Sequence, residues 1–274
     1  MDALPLFQFL QSLAQESRLF RNELRVAPVA PKLIVGLMKH LLANTLAPLT
    51  FSWGFLEAPV DAVTGAYVRW QRIILHSVKV GRIDMPLAAA LRQLEPLDLG
   101  SQRVLFLGTQ GRWTACFDNG ARGGNPSTFV GELSQRLKVR GIACTCIPNT
   151  LTRRDVGKPG TWGAVKFTQF APEKREFLNI DRSVSVANDV HGWKFHSMGQ
   201  VQDFEQVDRY TASRIADRLT AEMLERYCQA LGIDLFDEGF YGGPGVVTHA
   251  RPWFLPRLAT MSLADARRQL GLME

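Results

Sequence analysis

Acidic and amide side chains that follow a predicted strand are the residues of this chain best placed to do chemistry. Asp118 and Asn119 come after the apolar residues 112–117 and open a glycine-rich loop. Strand ends hold side chains still at the edge of a sheet, where catalytic and binding groups often lie. The same two side chains also suit an Asx-turn, in which they hydrogen-bond to the backbone of the loop. We favour the Asx-turn and keep the functional carboxylate as an alternative.

Three further acids lie in the later part of the chain, namely Asp181, Asp189 and Asp203. Adjacent strands that brought them together would form a carboxylate cluster of the kind that hydrolases use, with or without a metal. Solvated strand faces explain the same residues, and the sequence does not show that the acids converge. A hydrolase that uses Asp118 and other strand-end carboxylates is therefore the alternative function, and a non-catalytic role is favoured.

Other catalytic and ligand-binding patterns are missing from the sequence. The glycine spacing after Asp118 fits neither the dinucleotide fingerprint nor the Walker loop, whose lysine is also missing. Cys144 and Cys146 do not have the usual spacing of structural zinc ligands, and His191 and His196 would point to opposite faces of an extended segment. No G-x-S-x-G elbow is present. We therefore predict no cofactor and no metal site.

Tryptophan and arginine residues are placed in a way that favours protein binding. They occur together in or beside glycine-rich, polar segments: Trp113, Trp162, Trp193 and Trp253, with Arg112, Arg122, Arg153 and Arg251. Trp and Arg are enriched at the hot spots of protein interfaces. We expect at least half of the four tryptophans to pack inside. The residues that we assign to a protein-binding surface are Trp113, Asp118, Asn119, Arg122 and Trp162.

The composition is that of a globular protein with a modest excess of positive charge. Hydrophobic residues make up 46% and charged residues 21% of the 274 positions, so the chain can bury enough apolar surface to fold. The net charge of +6 suits an acidic partner. Because the basic residues are spread along the chain, a nucleic acid is not the partner that we predict. The densest basic group, Arg153, Arg154 and Lys158, is typical of a solvated loop.

The sequence also favours a cytoplasmic protein without a membrane partner. The longest apolar stretch, residues 31–42, contains Lys39 and His40 and is well short of the ~20 residues that span a bilayer. The first residues lack the basic region of a signal peptide. Four cysteines are too few for a disulfide framework in a chain of this length, so we expect all of them to be reduced.

The first hundred residues are predicted to be mostly helical. Apolar residues recur at helical spacing in residues 6–14 and again in residues 31–42, where Pro31 suits a first helical turn. A shorter helix is predicted at 87–94. Between these helices, residues 51–56 form a candidate strand and residues 67–80 are predicted to be extended.

After residue 103 the pattern changes to short apolar runs separated by turns. Strands are predicted at 103–107, 112–117, 142–147, 162–170, 177–186 and 192–200. Residues 108–111 between the first two predict a hairpin or a bend between neighbouring strands. The connections between the last three are too short for crossover helices, which predicts a largely antiparallel meander there. A helix is predicted to begin at Pro126 with Asn125 as its cap.

The C-terminal third combines helices with a tail rich in Gly, Pro and aromatic residues. Helices are predicted at 210–219 and 220–231, with Thr220 and Gly232 as the caps of the second one. The tail covers residues 240–256, and the spacing of Ser262 and Asp265 predicts a capping box for a last short helix.

These elements predict one α+β domain over residues 1–274. Its largely antiparallel mixed sheet is flanked by helices, with a mostly helical part at 1–100 and a sheet with C-terminal helices at 101–274. We find no internal repeat and no linker that separates two domains. The sequence leaves open whether the first hundred residues form a domain of their own.

Two stretches resemble a known group of sequences. They are GRWTACFDNGARGGNPSTFVGELSQRLKVRGIACTCIPNT at 111–150 and YTASRIADRLTAEMLERYCQALGIDLFDEGFY at 210–241. Both look like uncharacterised bacterial proteins associated with loci for interbacterial toxins and their immunity proteins. The resemblance covers about a quarter of the chain and carries no functional residues. It implies an immunity-type inhibitor whose protein partner is a toxin that it neutralises in the cytoplasm.

Overall fold

A computed structural model describes residues 39–272, except 75, 101, 174, 176–178 and 253–258. The predicted helix at 6–14 and most of the predicted helix at 31–42 lie outside these residues, as does Trp253. The fold is α+β, with a large antiparallel sheet flanked by helices. This agrees with the predicted fold class. Of the N-terminal part predicted to be mostly helical, residues 1–38 lie outside the described residues.

Nine strands form the main sheet, and all neighbouring pairs are antiparallel. They are β1 Ser52–Leu56, β2 His76–Ile83, β4 Arg103–Gly108, β5 Thr114–Asp118, β6 Gly141–Ile147, β7 Ala164–Phe170, β8 Ile180–Ala187, β9 Lys194–Gly199 and β10 Gly245–Pro252. Their order across the sheet is β2-β10-β4-β5-β1-β6-β7-β8-β9. The predicted strand at 51–56, the pairing of the neighbouring strands β4 and β5 and the meander β7–β9 are confirmed.

Five helices and a small second sheet accompany the main sheet in the described part of the chain. The helices are α1 Val60–Ile73, α2 Leu87–Arg92, α3 Ser127–Leu137, α4 Ala221–Ala230 and α5 Leu263–Gln269. The small sheet pairs β3 Leu97–Asp98 with β11 Thr260–Met261. No helix among these residues is both long and apolar enough to cross a lipid bilayer.

Apolar side chains on both faces of the main sheet are buried against other elements. Helices α1 and α3 cover one face, where Tyr67 and Val130 join a cluster with Phe106 of β4. On the opposite face, α2, α4 and α5 contribute to a larger cluster around Trp53 and Phe167. Because both faces of the central strands are buried, these strands read as continuous apolar runs rather than as alternating ones.

The prediction of an extended segment at 67–80 is wrong in its first half, which belongs to α1. Val63, Ala66 and Tyr67 are buried at intervals of three and four residues, which is the spacing of one helix face. Only residues from His76 onward form a strand, β2. The β-branched and aromatic residues near the end of α1 caused the error, because burial on a helix outweighs their preference for strands.

The predicted helix at 210–219 is also wrong. Two short 3-10 turns, Val207–Thr211 and Ile215–Asp217, occupy this region. Tyr210 and Leu219 are both buried in the core. Nine residues apart, they would lie on nearly opposite sides of an α-helix with ~3.6 residues per turn. A non-helical path is needed to bury both side chains on the same side.

The glycine- and proline-rich tail at 240–256, for which no strand was predicted, contains strand β10 of the main sheet. Strand β10 lies between β2 and β4, and its Val246, Thr248 and Ala250 are buried. Their alternation is the period of a strand with one face toward the core. That alternation is present in the sequence, but Gly and Pro on both sides favoured a loop.

The predicted caps Thr220 and Ser262 are confirmed, and Gly232 after α4 has the predicted left-handed conformation with a φ of 75°. The side-chain oxygens of Thr220 and Ser262 accept hydrogen bonds from Met223 N at 3.3 Å and Asp265 N at 3.0 Å. Asn125 does not cap α3, because Pro126 holds the N-cap position and no side-chain hydrogen bond caps this end.

A buried ion pair anchors the segment that follows β9. Arg182 of β8 donates to both carboxylate oxygens of Glu205 at 2.7 and 2.6 Å. The same carboxylate accepts from the Tyr210 hydroxyl at 2.6 Å and from Gln202 N at 2.9 Å. The side chains of Arg182 and Glu205 are 1% and 0% exposed. Both charges are therefore compensated by hydrogen bonds inside the protein.

Candidate protein-binding surface

Two loops lie side by side at one end of the main sheet. Residues 148–163 connect β6 to β7, and residues 188–193 connect β8 to β9. Because β6 to β9 are successive antiparallel neighbours, both connections occur at the same end of their strands. We call residues 148–163 and 188–193 the double-loop surface.

Hydrogen bonds centred on Asn149 tie the two loops together. Its side-chain oxygen accepts from Gly163 N at 2.9 Å and from the Asn188 side-chain amide at 2.8 Å. Asn188 N also donates to Gly163 O at 2.8 Å, which extends the β7–β8 ladder into the loops. The Asn149 side-chain amide donates to Leu151 O at 3.0 Å. One side chain thus fixes both loops on the frame of the sheet.

A second connection lies closer to solvent. Arg153 Nη2 donates to the carbonyl oxygen of His191 at 2.5 Å. Gly192, which follows, has a φ of 105°, and a Cβ at this position would be 3.0 Å from Arg153 Nη2. Both its backbone conformation and this close approach favour glycine. The arginine therefore connects the loops while its side chain stays at the surface.

A capping box orders the tip of the first loop. Asp155 accepts from both the backbone N–H and the hydroxyl of Thr152, at 3.1 and 2.6 Å. Lys158 Nζ donates to the other carboxylate oxygen at 2.8 Å. The hydrogen bonds from Lys158 and Thr152 lower the pKa of Asp155 to about 2. This carboxylate stays charged at neutral pH, where it holds the loop in shape.

Apolar and aromatic side chains are exposed between these polar anchors. Val156 is 62% and Val190 is 41% exposed, one on each loop. Trp162 and Trp193 are partly buried. A Cβ on Gly163 would be 2.9 Å from Trp193 Cη2, so glycine lets this ring lie against the backbone. Rigid tryptophans with one side open to solvent are typical anchors of protein interfaces.

The double-loop surface and the first residue of β9 carry more positive than negative charge. The basic residues are Arg153, Arg154, Lys158 and Lys194, and the acidic ones are Asp155 and Asp189. Lys158 pairs with Asp155 at 2.8 Å, and Lys194 pairs with Asp189 at 2.6 Å. Within the described part of the chain, no ion pair joins Arg153 or Arg154 to a carboxylate. The two arginines thus give the surface an uncompensated positive charge.

Replacing Asn149 by alanine should loosen the double-loop surface. The Gly163 amide would lose its acceptor, and we expect its hydrogen exchange to accelerate roughly tenfold, which corresponds to about 1 kcal/mol for one hydrogen bond. Amide exchange followed by NMR measures this change. Thr109→Ala is a control at the opposite end of the sheet and should leave Gly163 unchanged. Equal exchange in Asn149→Ala and wild type would contradict the role of Asn149.

Of the predicted binding residues, Trp162 lies within the double-loop surface. The loop that opens with Asp118 leaves β5 at the same end of the sheet, because β5 and β6 run in the same direction on either side of β1. Arg122 in that loop is exposed and makes interactions within the protein. Trp113 precedes β5 and therefore lies toward the opposite end.

Three of the predicted residues are buried and serve internal contacts. The Trp113 side chain donates its indole N–H to Leu231 O at 3.0 Å, and the Arg140 guanidinium lies 5.9 Å from the ring centroid. Asp118 accepts from Gly120 N at 2.9 Å, in the Asx-turn that the sequence favoured. Asn119 accepts from Arg103 N at 2.9 Å. A direct role for these three side chains in protein binding stays a prediction.

The acids that a hydrolase would need do not converge. Asp118 ends β5 and Asp189 follows β8, and the four strand-to-strand steps between them amount to roughly 19 Å at ~4.8 Å each. Asp181 lies near the start of β8, and Asp203 follows β9, so both are at the other end of these strands. Asp181 accepts from the Gln169 side chain at 3.0 Å. The geometry does not favour a catalytic carboxylate cluster.

The described residues do not group metal ligands either. No cluster of three or more His, Cys, Asp or Glu side chains suited to a metal occurs among them. All four cysteines are free and buried, as expected for reduced thiols. Cys144 and Cys228 lie with their sulfurs 3.5 Å apart, and burial raises the pKa of Cys144 well above its usual value. Such a thiol is poorly suited to nucleophilic chemistry or metal binding.

The chain was compared with protein-family models, with curated proteins and with solved structures. None of the three comparisons gave a match. The geometry and charge of the double-loop surface are thus the basis for proposing a function.

Of the residues in the double-loop surface, the sequence assigns only Trp162 to binding. Trp193 and Arg153 belong to the tryptophans and arginines that favour protein binding, but nothing in the sequence indicates that their loops meet. Asn149 is not among the residues that the sequence assigns to a site. Its position just after β6 was the available signal, since a side-chain amide at a strand end can join neighbouring loops.

Proposed function

We propose that this chain is a non-catalytic protein-binding inhibitor of the immunity type, and that the double-loop surface is its main contact with a toxin. The observation that carries the proposal is that Asn149 fixes both loops of this surface to the sheet. The loops present two partly buried tryptophans, an exposed valine each, and two arginines without carboxylate partners. An inhibitor that covers an active site needs such a rigid surface and no catalytic group.

The surface is adequate for tight binding in energetic terms. Nanomolar affinity corresponds to about 12 kcal/mol. A few hot-spot residues contribute up to about 2 to 4 kcal/mol each, and Trp and Arg are prominent among them. Trp162, Trp193 and Arg153 supply these residue types. Because hydrogen bonds already order the loops, little conformational entropy is lost on binding.

The uncompensated arginines specify the chemistry of the partner. Arg153 and Arg154 favour a toxin with an acidic surface, as found around active sites that bind cations or cationic substrates. Opposite charges on two proteins accelerate their encounter, and this effect weakens as salt is added. The net charge of +6 on the whole chain acts in the same direction.

The resemblance of residues 111–150 and 210–241 to proteins of interbacterial toxin and immunity loci supports the immunity type. It does not specify the contact surface, which rests on geometry. The four free, buried cysteines fit a protein that acts in the reducing cytoplasm.

Co-expression with the product of the adjacent gene tests the proposed function. We expect the two proteins to purify together and cells that carry both to survive a toxin that kills cells carrying it alone. If the adjacent product neither binds this chain nor is neutralised by it, the proposed immunity function is wrong.

Reversing the charge of Arg153 and Arg154 to Glu should lower the association rate with that partner about tenfold at low salt, because the attraction becomes repulsion. Stopped-flow measurements over a range of salt concentrations give this rate. Lys79→Glu with Arg251→Glu is the matched control, since it makes the same change in net charge on exposed residues of β2 and β10. If both double variants lost the same fraction of the association rate, the rate would depend on the net charge of the chain and not on the position of the charges on the double-loop surface.

A further inference from the structure

Strand β9 is one edge of the main sheet, and the hydrogen bonds of its neighbour show which of its backbone groups point outward. Asn188 N, just after β8, donates to Gly163 O, just before β7. In an antiparallel ladder every second residue bonds to the same neighbour, so Val186 and Val184 of β8 also bond to β7. The residues between them, including Ser185 and Ser183, bond to β9 opposite His196 and Met198. In β9, His196 and Met198 thus bond to β8. The backbone N–H and C=O groups of the β9 residues that alternate with them therefore point away from the sheet.

These outward residues are Phe195 and Ser197. No strand among the described residues lies beyond β9. The side chains of β9 are exposed except for Phe195, which is partly buried, and no backbone group among the described residues hydrogen-bonds to the outward N–H and C=O of Phe195 and Ser197. An edge of this kind is a template for another extended chain, which uses the unpaired backbone groups as hydrogen-bond partners.

The edge is held in place from inside the protein. Arg182 Nη1 donates to the carbonyl oxygens of Met198 at 3.0 Å and Gly199 at 3.3 Å, the last two residues of β9. The same guanidinium is fixed by the buried carboxylate of Glu205. An edge strand that is already ordered loses little entropy when it pairs with a partner.

We propose that the toxin contributes an extended segment that pairs with β9 as a tenth strand of the sheet. This inference rests on the proposed function and specifies how the partner docks. The double-loop surface ends where β9 begins, at Lys194, so one partner can contact both without a gap. Main-chain hydrogen bonds to Phe195 and Ser197 provide the pairing, and side chains next to the edge provide the selectivity.

The side chains along β9 define the chemistry of that segment. Lys194, His196 and Met198 alternate along the strand and so share one face of the sheet. Cross-strand neighbours of opposite charge stabilise a sheet, and like charges destabilise it. The partner segment thus has side chains with acceptor oxygens, such as carboxylates, beside the exposed N–H donors of Lys194 and His196, and an apolar side chain beside Met198, which is 44% exposed.

Ser197→Pro tests the backbone pairing. Proline removes the outward N–H, yet it is tolerated in an edge strand where that N–H faces solvent. We expect the affinity for the adjacent-gene product to fall about 30-fold, because proline loses one hydrogen bond and its ring blocks another. In the wild-type complex, amide exchange at Phe195 and Ser197 should slow at least tenfold.

Val80→Pro is the matched control. The hydrogen bond from Ala250 N to Gln102 O shows that alternate residues of β10, including Thr248, bond to β4. Val80 lies opposite Thr248 in β2, the other edge strand, so its N–H also points outward. This variant should bind like the wild type, and both proline variants should keep thermal unfolding midpoints within a few degrees of it.

The outcomes separate this inference from the proposed function. If the adjacent-gene product binds Ser197→Pro as tightly as wild type and Phe195 and Ser197 stay unprotected, strand pairing is wrong and the immunity function stands. If that product does not bind at all, a capped seven-residue peptide, Thr-Glu-Thr-Glu-Thr-Val-Thr, serves as the probe, because its two Glu side chains and its Val side chain share one face as the proposed segment requires. Amide shifts confined to β9 that Ser197→Pro abolishes and Val80→Pro retains support the pairing. No peptide-dependent shift, or a dimer of this chain that Ser197→Pro dissociates, overturns it.

Discussion

Replacing Glu205 by alanine should lower the free energy of unfolding by about 3 to 5 kcal/mol, the range for removing one partner of a buried ion pair. The Arg182 guanidinium would remain as a buried charge without its carboxylate. The Tyr210 hydroxyl and Gln202 N would lose their acceptor as well. Urea unfolding followed by circular dichroism measures the change.

A double variant separates the cost of an unpaired charge from the contribution of the pair itself. Arg182→Met with Glu205→Leu removes both charges and keeps most of the volume, so it should recover much of the loss. If Glu205→Ala and the double variant were equally unstable, the carbonyl contacts of Arg182 on β9 would matter more than the charge pair. A loss below about 1 kcal/mol in Glu205→Ala would contradict the role of the pair.

The Arg182–Glu205 pair should also make the free energy of unfolding depend on pH in a defined direction. Burial alone would raise the pKa of Glu205, but hydrogen bonds from Arg182 and Tyr210 outweigh it and hold the pKa below its usual value. The stabilisation is therefore fully present above the pKa of the unfolded chain and is lost as the pH falls through the folded pKa. Below pH 5, the wild type should lose stability more steeply than Glu205→Ala.

Asp118→Ala should cost about 3 kcal/mol of unfolding free energy, because hydrogen bonds to a charged group contribute about 1.5 to 3 kcal/mol each. The carboxylate is 5% exposed and accepts from Gly120 N at 2.9 Å and Asn125 N at 3.0 Å. Removing it leaves both amides without this acceptor at a buried turn. Thermal and urea unfolding measure the loss.

Asp203→Ala is the control for this change, since Asp203 is exposed and should shift stability by less than about 0.5 kcal/mol. The comparison also separates the two functions considered for Asp118. A turn-forming role predicts that the stability falls, whereas a catalytic role predicts that an activity disappears and the stability is kept. An unchanged stability of Asp118→Ala would contradict the Asx-turn.

Local patterns in the sequence predicted much of the sheet and several helix ends. The β4–β5 pair and the meander β7–β9 follow from apolar runs with short connections, which fix neighbouring strands as antiparallel. The Thr220 and Ser262 caps follow from a side chain that reaches an amide two or three residues away. These features depend on residues that are close in sequence.

Errors occurred where burial decided between two local preferences. The end of α1 carries residues that favour strands, but its helix face packs against β4 and α3. Strand β10 has turn-forming residues at both ends, but its backbone pairs with both β2 and β4 and its alternating side chains Val246, Thr248 and Ala250 are buried. Packing partners tens of residues away in the chain determine the first outcome, and partners more than a hundred residues away determine the second.

For the candidate site, the amino-acid sequence shows which residue types are available: tryptophans beside polar loops, a local basic group at Arg153, Arg154 and Lys158, and no familiar catalytic pattern. The fold adds that Trp113 is buried while Trp162 and Trp193 lie on one surface. It also places Asp118 far from the other acids and makes β9 an edge strand. These features depend on strand order, which brings together residues that are distant in the chain. A sequence pattern can indicate whether successive strands are antiparallel, but it does not give their order across the sheet.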